Sequence, residues 1–191
     1  MIAEFWFDPS CPYTWTTSRW LVEAATVRPI EIDWRLLSLS VLNEHREDDP
    51  EGDPEGYLWV PVRVATAVRE QHGSAALGRF YTALWTQEET PDWIGNFETA
   101  LTAAGLPREL ATAGPEWDAA VRRSHAEGIA LVGTHVGTPI IAVDGGAIFG
   151  PVISQIPRGE AAGRLWDAVV TMTNTPGFHE LKGKPHAEPE R

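Results

Sequence analysis

The chain has 191 residues, 43% of them apolar, enough for one domain, or one domain with a large insertion, around a sizeable core. With 27 acidic and 15 basic residues the formal charge is -12, which argues against the basic face that nucleic acid or an anionic membrane surface requires. A single cysteine excludes an internal disulfide and a cysteine-based metal cluster.

In chain order, Ile2 to Phe7 reads as a short buried strand rich in aromatics. No Lys or Arg precedes this run and it is too short for a signal peptide. No window approaches 18 apolar residues, so the expected setting is cytoplasmic, where a thiol stays reduced. "DPSCP" breaks the strand. Pro12 suits a first helical turn, Ser10 is a candidate cap, and the helix runs to about Ala25. "VRPIEIDWRLLSLS" alternates Ile30, Ile32, Trp34 and Leu36 as a second strand, and the crossover is long enough to make the pair parallel.

"NEHREDDPEGDPEG" reads as a solvated loop. From Tyr57 to Gly128 the chain is expected to be helical. The segments are Leu58 to Gln71, Ala75 to Gln87, a helix with Trp93, Phe97 and Leu101 on one face, and a last one with Pro115 near its start and Gly128 at its end. Strands return in "GTPIIAVDGGAIFG", at Pro139 to Val143 and Ala147 to Phe149, joined by a "DGG" turn. Pro157 opens a final helix. The tail "TPGFHELKGKPHAEPER" is expected to lose order toward its end.

The order βαβ, helices, ββα is the thioredoxin arrangement interrupted by a large all-helical insertion, an α/β fold. Residues 1–40 and 134–175 are expected to form the thioredoxin-like domain, residues 41–133 a helical lid, and residues 176–191 a C-terminal tail.

Cys11 stands between a strand and a helix. There the unpaired N–H groups and the helix dipole favour a thiolate, lowering a thiol from about 8.5 to about 3.5–7.5. The competing reading is a buried cysteine acting as a small hydrophobe. Asp8 could move protons near Cys11, but a cap on the turn suits it better. Tyr13 and Trp15 flank the thiol as an apolar stacking wall for an aromatic substrate, with core packing an equal reading for Trp15. Arg19 fits a ligand carboxylate or a surface salt bridge. His45, His72, His125, His135, His179 and His186 show no metal-ligand spacing; His135, four residues before Pro139, is an acid–base candidate. "VGTHVG" lacks a dinucleotide fingerprint, so neither a metal nor a nucleotide is expected.

"CPYT" resembles the C-x-x-C site of thioredoxin-fold oxidoreductases with Thr14 at the second cysteine, and "GTPII" resembles their Thr–cis-Pro signature at Thr138 and Pro139. "FWFDPSCPYTW", "SRW", "LLSLSVLNE", "VGTPIIAVDG", "FGPVISQIPRGE" and "LWDAVVT" together resemble the DsbA-like family with a helical insertion, closest to the actinobacterial mycothiol-dependent nitroreductases. The resemblance implies Cys11 as nucleophile, Pro139 as the cis-proline beside Thr138, and mycothiol or a similar small thiol as cofactor and partner, with a small-molecule substrate. Thr14 cannot resolve a mixed disulfide, so the expected cycle is monothiol. Pro12 belongs to the same motif, and the Thr14 hydroxyl is placed to donate to the thiolate. The alternatives are a non-redox transferase or isomerase resembling kappa-class glutathione transferases and hydroxychromene-carboxylate isomerases, or a binding module whose catalysis has decayed. Exposed tryptophans on the insertion would serve a homodimer.

Overall fold

The computed structural model describes residues 1–48, 50–88 and 92–190. Asp49 of the acidic loop and the side chain of Trp93 in the expected apolar stripe lie outside the described residues.

Strand β1 (Ile2–Phe7) leads through helix α1 (Pro12–Ala24) into β2 (Glu31–Leu36), and the two strands pair in parallel from Ile2↔Glu31 to Phe7↔Leu36. β3 (Ile140–Val143) lies antiparallel on the other side of β1, with Trp6 opposite Ile140. β4 (Gly146–Phe149) returns beside β3 through Asp144 and Gly145, both at positive φ, as a two-residue hairpin requires. The sheet order is β2-β1-β3-β4. Between β2 and β3 the chain forms α2 (Leu39–Asn43), α3 (Trp59–His72), α4 (Ser74–Thr86), α5 (Trp93–Ala103), two short 3-10 turns and α6 (Asp118–Val132). Helix α7 (Glu160–Thr173) follows β4.

Alternation along β1 sends Ala3, Phe5 and Phe7 to one face and Trp6 to the other. The first face meets α1 and α7, where Trp20, Leu21, Ala24, Ala162, Trp166 and Val169 are buried and the Trp20 indole N–H donates to the Ala162 carbonyl at 3.0 Å. This core continues beyond β2 into α3, α4 and α5. On the second face Trp6, Leu37, Ile140 and Ala142 pack against Ile129 and Val132 of α6.

Helix α6 therefore covers the sheet rather than belonging wholly to the insertion, and it does not end at Gly128. It runs to Gly133, which closes it at φ 96°. Gly128 serves a close approach instead, since a Cβ there would come 2.7 Å from Trp6 Cδ1. Gly128→Ala should thus lower stability by about 1–3 kcal/mol by overpacking. Helix propensity alone would raise it by about 1 kcal/mol. A shift of the urea midpoint upward would sink this account.

As the free edge of the sheet, β2 is closed by side chains rather than by another strand. Trp34 N–H donates to Ser74 Oγ at 2.7 Å, Arg69 Nε donates to the Trp34 carbonyl, and Ser124 Oγ both accepts from Leu36 N–H and donates to Leu36 O. Helix α2 was not anticipated; Ser38 caps it by accepting from Val41 N–H. Pro157 precedes the last helix instead of opening it; the helix begins at Glu160 behind Gly159. Of the tryptophans on the insertion, Trp59, Trp85 and Trp117 are half-buried.

Candidate active site

The carboxyl end of β1 sets the thiol loop. Asp8 is wholly buried and ties three segments together. Its Oδ1 accepts from Ser10 N–H and its Oδ2 from Leu39 N–H, both at 2.8 Å, while its own N–H donates to Thr138 Oγ1 at 3.2 Å. Cys11 N–H donates back to the Asp8 carbonyl, and Cys11 becomes the N-cap residue of α1, with Pro12 in the first turn. The expected cap by Ser10 is not formed: Cys11 holds the N-cap position, and Ser10 turns to Asp8 instead.

Cys11 is half-buried and its thiol is free. Burial pushes the thiol pKa above its ordinary value, opposite to the shift expected at a helix start. Hydrogen bonds from the Thr14 hydroxyl and from the Thr14 and Tyr13 amides pull it down, and the charge of Asp8 pushes it up, so desolvation outweighs the helix end. Thr14 is fully buried, and its hydroxyl lies 3.3 Å from Thr138 Oγ1. Asp8, the Cys11 helix and Thr138 thus meet at one point. The Thr138–Pro139 peptide bond is cis, as is Gly150–Pro151.

Asp8 carries a pKa raised from 3.8 to about 6, because burial outweighs the hydrogen bonds from the Leu39 and Ser10 amides and the Ser10 hydroxyl. It accepts from both turn amides, and its charge reaches the Cys11 thiol.

Trp15 belongs to the core and not to an exposed wall. It is 3% exposed, stacks on Trp85 at 5.4 Å, meets Tyr81 edge-on at 5.3 Å and carries the Arg19 guanidinium at 4.1 Å. Tyr13 is half-covered: its hydroxyl donates to the Ala187 carbonyl and its ring lies 5.1 Å from that of His186. His135 is exposed, with its imidazole turned back against Gly133, and no bond joins it to the thiol loop among the described residues.

The tail departs furthest from expectation, because it docks. Thr16 Oγ1 donates to the Glu190 carbonyl, Glu190 N–H to Ser154 O, and Ile156 N–H to the Glu190 carboxylate. Tail residues Lys184 to Ala187, with Tyr13 and residues 152–155, enclose a cavity of about 380 Å³ beside the thiol loop. A larger one of about 920 Å³ lies between β2, α4 and α5, and Cys11 is not among its lining residues. Cys11 does not line the smaller cavity either; Tyr13, two residues on, ties it to the thiol loop.

Sequence reasoning missed Tyr81 and Trp85. Trp85 donates its indole N–H to the Pro9 carbonyl at 2.9 Å, and Tyr81 stacks on Phe7 at 4.2 Å, so α4 is locked to the thiol loop by aromatic rings. Their spacing of four on a helix was the available signal. His125 was also missed: it is buried, its pKa is lowered chiefly by burial, and its Nδ1 accepts from Ser38 N–H.

A family model described as Rv2466c-like, mycothiol-dependent nitroreductase Rv2466c, matches residues 10–183. The chain belongs to that family. It is 30% identical over 188 residues to the protein Rv2286c of Mycobacterium tuberculosis (strain ATCC 25618 / H37Rv), covering 94% of this chain and 80% of that one. Among solved structures it is similar to a probable DsbA oxidoreductase, SCO1869 of Streptomyces coelicolor, with TM-score 0.56 and 16% identity over 96% of this chain and 100% of the other. It is also similar to a 2-hydroxychromene-2-carboxylate isomerase, with TM-score 0.60 and 14% identity over 90% and 94%. The fold is accordingly the DsbA-like, thioredoxin-type fold, and the family is one of oxidoreductases whose named partner is a small thiol. No helix among the described residues is long and apolar enough to cross a membrane.

Proposed function

We propose that the chain is a monothiol oxidoreductase in which Cys11 forms a mixed disulfide with mycothiol or a similar small thiol. The observation that carries this reading is the half-exposed Cys11 thiol at the start of α1, whose first amides favour its thiolate, in a motif whose resolving position is a hydroxyl. The resting thiol is protonated. Asp8, ionised above about pH 6, accepts the proton as the sulfur attacks. The Cys11 sulfur bonds to one sulfur of a small disulfide, the old S–S bond breaks, and the departing thiolate takes the proton. A second small thiol then attacks the mixed disulfide, releasing Cys11 and forming the disulfide of the two small thiols. Over the cycle one small thiol is consumed and one is released, and Cys11 returns as a thiol.

Thr14 holds the thiolate; Pro12 fixes the first turn that aims the amides. Tyr13 and the 380 Å³ cavity receive the small thiol, and Thr138 and Pro139 flank the substrate. Helices α3–α5 act as the lid and the cytoplasm is the setting.

The test is intact mass after incubation with oxidised mycothiol. One adduct on Cys11, released by free mycothiol with return of one titratable thiol, is the expected result. No adduct, or one that free mycothiol does not remove, would reject the cycle. A second reading, non-redox transfer or isomerisation, is favoured by the protonated resting thiol and the missing second cysteine. An assay in which substrate and product share one oxidation state would decide for it.

A further inference from the structure

Hydrogen-bonding capacity is left unmet along the seam where α1 meets α4. Cys11, Trp15 and Arg19 follow one another at spacings of four, so they share one stripe of α1, and helical side chains lean toward the N-terminus and hence toward Cys11. Facing them on α4 are Tyr81, Thr82 and Trp85.

Arg19 donates from Nη1 to Thr82 Oγ1 at 2.9 Å and from Nε to Ser18 Oγ at 3.2 Å, both neutral hydroxyls. Its Nη2 is buried without a partner. The Trp15 indole N–H is likewise unpartnered, and the Tyr81 hydroxyl, on a fully buried ring, has only the Ser18 hydroxyl within loose reach. Three of the seven buried side-chain atoms without a well-formed hydrogen bond among the described residues fall in this one seam, and all three can donate. Native interiors satisfy nearly all buried donors, so the clustering is not ordinary packing residue.

Arg19 also differs from the other inward-facing arginines. Arg28, Arg35, Arg63 and Arg69 each meet a carboxylate, at Glu160 and Asp167, Glu4, Asp118 and Asp33. Arg19 meets none among the described residues, and a desolvated cation without an anion is unfavourable. Burial draws its pKa down to about 10, which leaves it charged at neutral pH. Burial likewise lifts Tyr81 well above the usual phenol range, which keeps its hydroxyl a donor. Thr82, which holds Arg19, also lines the 920 Å³ cavity, whose walls include Ile30, Ile32, Ala83 and Ala103.

We propose that this seam binds the carboxylate of a small apolar or aromatic molecule, with Arg19 Nη2 and the Tyr81 hydroxyl as its donors and the apolar body in the adjoining cavity. This site lies apart from the cavity assigned to the small thiol, and the binding itself does not depend on thiol chemistry.

Calorimetric titration with benzoate and with benzamide, its neutral counterpart, tests this. Benzoate should bind at least about tenfold more tightly than benzamide, as expected when a paired buried charge is lost. Arg19→Gln should weaken benzoate about tenfold or more. Tyr81→Phe, which keeps the ring and guards against a misfolded arginine variant, should weaken benzoate several-fold and leave benzamide unchanged. Cys11→Ser should bind benzoate as the parent does, so failure of the redox cycle leaves this result standing. Equal binding of benzoate and benzamide, or parental benzoate binding by both Arg19→Gln and Tyr81→Phe, would overturn the proposal.

Discussion

Replacing Cys11 with serine is expected to lower turnover with a small-thiol reductant by about four orders of magnitude or more, the scale seen when a covalent nucleophile is removed. The chain contains no second sulfur nucleophile of this kind. A serine hydroxyl does not ionise near neutral pH and forms no disulfide, so neither half of the proposed cycle survives. Stability should hardly change. The loop is fixed by the backbone bond from Cys11 N–H to Asp8 O and by the Asp8 carboxylate, not by the thiol. A change within about 0.5 kcal/mol is the expectation for a half-exposed, isosteric substitution. Turnover and a denaturant midpoint, measured on the same preparation, check both halves. Parental turnover by the serine variant would show that another group performs the reaction.

Asp8 is expected to make stability fall as pH rises from about 4 to about 6. Its pKa is 3.8 unfolded and about 6 folded, so across that window the folded chain holds a proton that the unfolded chain has lost. The unfolded state therefore binds fewer protons and unfolding becomes easier with increasing pH. The shift corresponds to about 3 kcal/mol, fully lost above pH 6. Asp8→Asn should abolish this part of the pH dependence. Asparagine must turn an amide N–H toward one of the two donors that the carboxylate accepts from, Ser10 N–H or Leu39 N–H, and that cost is the same at every pH. The comparison is of slopes: urea unfolding of both proteins at pH 4 and pH 7, the parent losing about 3 kcal/mol more than the variant. Equal slopes would mean that Asp8 titrates as an exposed carboxylate. Because the Asp8 charge also raises the Cys11 pKa, the same variant should alkylate with a pH profile displaced toward acid.

Much of the fold was legible because it rests on local signals. β1 and α1 follow from an apolar run ended by Asp-Pro and a proline in the first helical turn, and the hairpin follows from Asp144 and Gly145. What failed was non-local. Gly128 looks like a helix stop in sequence, yet its lack of a side chain answers to Trp6 on the sheet, more than a hundred residues earlier. The tail reads as polar and loose, yet Glu190 finds donors on the 154–156 loop and on α1. In the site, Cys11 and Thr138 were readable as motif residues. The sign of the thiol's shift was not, because the helix end is visible in sequence and the desolvation that outweighs it is not. Tyr81 and Trp85 stayed hidden for the same reason: nothing local says that α4 will lean on Pro9.

The hydroxyls of Ser74 and Ser124 and the guanidinium of Arg69 stand where a fifth strand would otherwise zip onto β2. Excising residues 44–132 to make a minimal version of this protein would therefore bare the peptide groups of Trp34 and Leu36. The shortened chain would be prone to pair β2 edge to edge with further copies into insoluble polymer.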